Sequence, residues 1–132
     1  MAEIFISYKS ERRSAARHLA KVLDGYGYEP WYDYGLIPGH DFEPRLMAEL
    51  NAAKVVVVLW CTMAVTSPWV GKEAAHAKRA GKFLPCRLES CMLPRDFSGA
   101  DTINLTEWDG APRSHMLDRL LGDIGRRVGR DP

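Results

Sequence analysis

Seven consecutive apolar residues, Val55-Val56-Val57-Val58-Leu59-Trp60-Cys61, constrain this chain more than any other stretch. A run so short, unbroken and β-branched suits a strand buried on both faces, the kind found in the middle of a helix-covered parallel sheet. The residues beyond it open a helix. Ser67 is a natural N-cap, and Pro68 suits the first helical position, where its missing N–H removes no hydrogen bond. Helical pattern continues through Ala74, Ala75, Ala77 and Ala80 to a stop at Gly81. Trp69 and Glu73, four apart, share one face near the start of that helix. In an open α/β sheet, ligands bind outside the carboxyl ends of the strands, and this helix begins at such an end. An aromatic plate beside a carboxylate there can hold a flat cationic ring and a sugar. The commoner use of such a pair is a packing tryptophan and a carboxylate that complements the helix dipole. Yet Glu73 is not the N3 residue of a capping box, where Val70 stands, and Ala77 occupies its i+4 position. His76 at i+3 is the remaining helical partner.

Strands and helices alternate along the rest of the chain. Glu3 to Tyr8 reads as a first strand. Ser10 to Leu23 reads as a helix with Ala15, Ala16, Leu19, Val22 and Leu23 on its apolar side, ended by Asp24-Gly25-Tyr26-Gly27. Tyr28 to Asp33 is a second strand, placed at an edge by Pro30. Tyr34 to Asp41 is a loop, and Phe42 to Ala53 a helix carrying Leu46, Met47 and Leu50. Lys82 to Leu88 forms a fourth strand, Glu89 to Gly99 is irregular, and Thr102 to Leu105 is a short fifth strand. After the turn Glu107-Trp108-Asp109-Gly110, a last helix is expected from about Pro112 to Val128. This order predicts one α/β domain, a parallel sheet with helices on both faces.

A net charge of +1 gives no global field for nucleic acid or a membrane surface, so neither is expected as a partner. Local basic clusters at Lys72, Lys78, Arg79 and Lys82, and at Arg126, Arg127 and Arg130, read as solvated helix faces. The three cysteines, Cys61, Cys86 and Cys91, form no disulfide framework and lack zinc-site spacing. The histidines, His18, His40, His76 and His115, are scattered, so neither a metal site nor a histidine triad is expected. With no signal peptide and no apolar stretch beyond seven residues, a reducing, cytoplasmic setting fits.

Four motifs together resemble a Toll/interleukin-1 receptor (TIR) domain of the bacterial kind. Phe5-Ile6-Ser7-Tyr8 resembles the family's first box, and Tyr32-Asp33 followed by Gly35-Leu36-Ile37-Pro38-Gly39 its second strand and BB loop. Ser67-Pro68-Trp69 with Glu73 resembles the Ser-Pro-Trp-x-x-x-Glu signature, and Leu105 to Gly110 the closing strand and turn. The match spans about residues 3 to 128. It implies a flavodoxin-like five-stranded sheet in the order 2-1-3-4-5. A response-regulator receiver shares that order but needs acidic residues after strand one and an aspartate closing strand three, where this chain has Ser7-Tyr8-Lys9-Ser10 and Cys61-Thr62.

The resemblance implies two kinds of function. Many animal TIR domains are scaffolds that assemble through the BB loop; bacterial, plant and axon-degeneration members cleave NAD⁺ at the nicotinamide–ribose bond. The enzymatic branch carries a glutamate where Glu73 stands and a tryptophan where Trp69 stands. Val70 departs from the cysteine that often follows that tryptophan, and the BB loop lacks the Arg-Asp pair of animal receptors. The resemblance therefore implies an NAD⁺ glycohydrolase or cyclase with NAD⁺ as substrate, no cofactor and Glu73 as the catalytic group. Trp69, Ser7, Tyr8, Lys9, Phe5 and Asp33 are the implied substrate contacts, although Phe5 also suits the core and Asp33 could instead anchor the BB loop. Leu36, Ile37, Pro38 and Gly39 are the implied assembly loop, giving a homo-oligomer or filament. A domain of this size without a sensor is expected to be cut from, or to work with, a larger sensing protein. Anti-phage defence is the role that the resemblance suggests.

Overall fold

The computed structural model describes residues 2–32 and 42–130. Five parallel strands form one sheet in the order β2-β1-β3-β4-β5. They are β1 (Ile4–Ser7), β2 (Pro30–Trp31), β3 (Val55–Trp60), β4 (Phe83–Arg87) and β5 (Ile103–Asn104). Among the described residues, three α-helices connect strands, α1 (Arg13–Gly25), α2 (Phe42–Ala52) and α3 (Pro68–Arg79), and α4 (Asp118–Val128) follows β5. All six side chains of β3 are buried, as a strand flanked by β1 and β4 and covered on both faces requires. Pro30 pairs with Ile4 on the outermost strand, where a missing N–H costs the sheet least.

Alternation along β1 divides the interior in two. Ile4, Ile6 and Tyr8 enter a core with Leu19 and Leu23 of α1 and Leu120 and Ile124 of α4. Phe5 enters the opposite core, with Leu46 and Leu50 of α2 and Val70, Ala74 and Ala77 of α3. Period-two geometry therefore directs Ser7 to the same side as Phe5 and away from Tyr8.

Some boundaries differ from the sequence reading. The first helix opens with a 3-10 turn, Ser10–Arg12, before α1. Among the described residues of the expected second strand, Pro30 and Trp31 form the ladder with β1. Cys61 lies one residue beyond β3, still buried. The last helix starts at Asp118 rather than near Pro112. Extended Ser114 instead caps a 3-10 turn, His115–Leu117, its hydroxyl accepting from the Met116 amide. Within the stretch read as irregular, the turn Arg95–Phe97 places the Phe97 ring 5.5 Å from Trp60 and 5.3 Å from Phe83, closing that side of the core. Lys82 does not lie on a solvated face. Its ammonium donates to the carbonyls of Leu50, Asn51 and Ala53, groups that the end of α2 leaves without helical partners.

Candidate functional site

Helix α3 begins as its sequence predicts: Ser67 is extended and its hydroxyl accepts from the Val70 amide at 3.2 Å, with Pro68 in the first turn. Side chains on a helix lean toward its N-terminus. Glu73, in the second turn, is thereby aimed back toward the carboxyl edge of the sheet. There it meets Ser7, the last residue of β1, whose hydroxyl donates to Glu73 Oε1 at 2.7 Å across 66 residues of sequence. The carboxylate is 1% exposed and the serine 0%. Glutamate is seldom buried so completely in a globular interior, and a fixed hydrogen bond to its oxygen both orients it and offsets part of its desolvation.

Glu73 also forms part of the wall of a narrow cleft of about 70 Å³ between α2 and α3. Leu46, Met47 and Leu50 supply the apolar α2 side; Trp69, Lys72, Glu73, His76 and Arg79 supply the α3 side. Those five follow the 3.6-residue period along one helical face. The Lys72 ammonium sits 5.9 Å from the centre of the Trp69 ring. His76 is held below its usual pKa of 6.5, first by burial and then by the charges of Lys82 and Arg79, so it is neutral at pH 7. Among the described residues, its buried Nδ1 has no hydrogen-bond partner.

The expected site residues do not all converge. Ser7, Trp69 and Glu73 come together at the carboxyl edge. Phe5 lies on the same side of the sheet but is fully buried, its ring 5.1 Å from that of Trp31, so it is core. Tyr8 packs into the opposite core, and Lys9 pairs with Glu11 at 3.4 Å. Neither borders the cleft. Asp33 and the loop residues Leu36, Ile37, Pro38 and Gly39 lie outside the described residues. Trp108 is a turn residue, donating its indole N–H to the Ala111 carbonyl at 2.9 Å. His76, Lys72 and Arg79 were not singled out as site residues; their spacing from Trp69 was the available signal.

Burial pushes the thiol pKa of Cys86 and Cys91 upward, which leaves both thiols protonated and unsuited to nucleophilic work. Among the described residues no group of His, Cys, Asp or Glu is arranged to hold a metal ion, and no helix is long and apolar enough to cross a membrane.

Comparison with solved structures returns the same fold. The TIR domain of the Toll-related receptor TRR-2 from Hydra magnipapillata superposes with a TM-score of 0.78 at 17% identity, over 94% of this chain and 98% of that one. A metazoan TIR-STING receptor from C. gigas, solved with 2',3'-cGAMP, gives 0.71 at 17% identity over 99% of this chain; the match takes in 40% of that longer chain. The TIR domains of the activated Roq1 resistosome give 0.67 at 16% identity, over 94% and 99%. A search of curated protein sequences returned no match. The family profile described as TIR domain matches residues 4–121, from β1 into α4, so this chain belongs to the TIR domain family.

Proposed function

We propose that the protein is an NAD⁺ glycohydrolase in which Glu73 is the catalytic residue. The observation that carries this reading is a glutamate buried at the carboxyl edge of a parallel sheet, oriented by the Ser7 hydroxyl and sharing a cleft with Trp69. The chemistry needs little more. Nicotinamide leaves as a neutral base when the C1′–N bond breaks, because the electron pair goes to a pyridinium nitrogen, so no general acid is required. Positive charge grows on the ribose, and a carboxylate fixed beside it favours that state over the bound substrate. Water then adds to C1′ and releases a proton, giving ADP-ribose; an internal nucleophile in its place gives a cyclic isomer. Trp69 offers the aromatic face against which the reacting end is held.

Self-assembly completes the proposal. The Roq1 TIR domains that share this fold come from an activated resistosome, and gathering of TIR domains by a sensor in cis or trans is the activating event proposed here. Anti-phage defence is the matching biological role.

The test is nicotinamide release from NAD⁺ by concentrated or artificially clustered protein, with products separated by chromatography. Wild type should release nicotinamide, and Glu73→Ala should be slower by at least about 100-fold, the scale of losing one preorganised electrostatic group. A folded, assembled wild type that releases none would make the domain a non-catalytic assembly module instead.

A further inference from the structure

We propose that the open pocket at the carboxyl end of β4 is a binding site for a phosphate group, with the Arg87 guanidinium as its anchor. Arg87, Ser90, Cys91, Met92, Leu93 and Ser98 line it. None of them lines the cleft beside Glu73, and the proposal is independent of the NAD⁺ reading.

Alternation along β4 decides where Arg87 goes. Leu84, Cys86 and Leu88 enter the core shared with α1 and α4, so Arg87, the last residue of β4, falls on the opposite face with Phe83. It is partly buried there, at the edge of the sheet where ligands of open parallel sheets bind. Its Nε donates to the Cys91 carbonyl at 3.1 Å, which ties the chain after β4 back to the strand end and fixes the guanidinium at the pocket. Among the described residues Arg87 forms no ion pair. The carboxylate closest to it in sequence, Glu89, is engaged elsewhere: one oxygen accepts from Arg12, the other from the amide and the hydroxyl of Thr62. A guanidinium stays charged in a protein, and a charge partly withdrawn from water favours an anionic partner.

A second donor beside Arg87 also lacks an acceptor. Trp60 is the register partner of Arg87 on β3 and enters the same side of the sheet. Its indole N–H is fully buried and has no hydrogen-bond partner among the described residues. A buried donor of this kind is normally satisfied by water or by a ligand. The Ser98 hydroxyl, by contrast, is committed to the Arg95 carbonyl at 3.0 Å. The planar fork of an arginine meets two oxygens of a phosphate at once, which a lysine ammonium does not. The pocket, about 440 Å³, is of the size that holds small organic ligands, and Met92 on its wall is 86% exposed. Inorganic phosphate and a phosphate monoester therefore share the chemistry that this pocket offers.

The probes are inorganic phosphate and AMP, titrated into the full chain by calorimetry. Binding is located by nitrogen-15 NMR of the Arg87 Nε–H and of the indole N–H groups, assigned by replacing one tryptophan at a time with phenylalanine. Millimolar phosphate should shift the Arg87 signal and leave Trp69 and Trp108 unmoved. Tighter binding of AMP would identify a monoester as the ligand; equal affinity would identify the free anion. Arg87→Ala should weaken phosphate binding at least about tenfold, as the loss of charge-assisted hydrogen bonds requires. That change also releases the Cys91 carbonyl, so Ser90→Asp is the second variant. It leaves Arg87 in place, sets a like charge beside the phosphate and should weaken binding by a similar factor. Glu73→Ala should bind phosphate as wild type does. An unmoved Arg87 signal, an affinity that survives either pocket substitution, or a shift of Trp69 in place of Arg87 overturns the site.

Discussion

The hydrogen bond from Ser7 to Glu73 can be measured through a double-substitution cycle on stability. Both side chains are excluded from solvent and the donor–acceptor distance is 2.7 Å. A hydrogen bond to an ionised acceptor contributes about 1.5–3 kcal/mol net. Ser7→Ala removes one oxygen from a site with no access to water, so it should cost ~2 kcal/mol, roughly a thirtyfold fall in the folding equilibrium constant. In a Glu73→Ala background the hydroxyl has already lost its acceptor, and the same change should cost less than about 0.5 kcal/mol. The difference, ~1.5 kcal/mol, is the coupling energy. Urea denaturation of the four proteins, followed by tryptophan fluorescence, supplies it, provided the dependence on denaturant stays constant across the set. Equal costs of Ser7→Ala in the two backgrounds would refute the claim that this bond orients the carboxylate.

Two further outcomes follow from contacts away from the cleft opening. Lys82→Met removes three bonds from an ammonium to the carbonyls ending α2, and after the cost of burying that ammonium is returned it should destabilise the fold by about 2 kcal/mol; a loss under ~0.5 kcal/mol in urea denaturation would show the contact to be incidental. The second concerns acid stability. Arg130 forms a two-pronged pair with Glu3, and its hydrogen bonds hold the Glu3 carboxyl below its usual pKa of 4.5. The stabilisation is therefore complete above about pH 4.5 and is lost as pH falls through the lowered folded value. Glu3→Gln should flatten that part of the melting-temperature profile, and parallel acid limbs for the two proteins would contradict it.

Much of this fold could be read from the chain because its signals are local. An unbroken β-branched run can only be satisfied with cover on both faces, and Ser67 with Pro68 meets the unpaired amides of a helix start from adjacent residues. The Trp69–Glu73 pair follows from helical spacing alone. Where local rules competed, the boundary moved: Ser114 caps a short 3-10 turn, and the α-helix waits until Asp118. The opposite directions of Ser7 and Tyr8 were also available in principle, since neighbours on a strand point to opposite faces.

Tertiary structure decided the rest, because its determinants are partners far apart in sequence. Nothing near Glu73 in the chain announces that a serine 66 residues away donates to it. The basic residues of α3 look equivalent along the sequence, yet the neighbours they meet divide them: Lys82 closes α2, Lys78 reaches the Phe97 turn, and Lys72 and Arg79 border the cleft. Sequence specified a carboxylate at the carboxyl edge of the sheet. Packing α2 and α3 against the same face of that sheet buried the carboxylate, oriented it and gave it charged neighbours, because burial and electrostatic environment depend on every element that closes over a site.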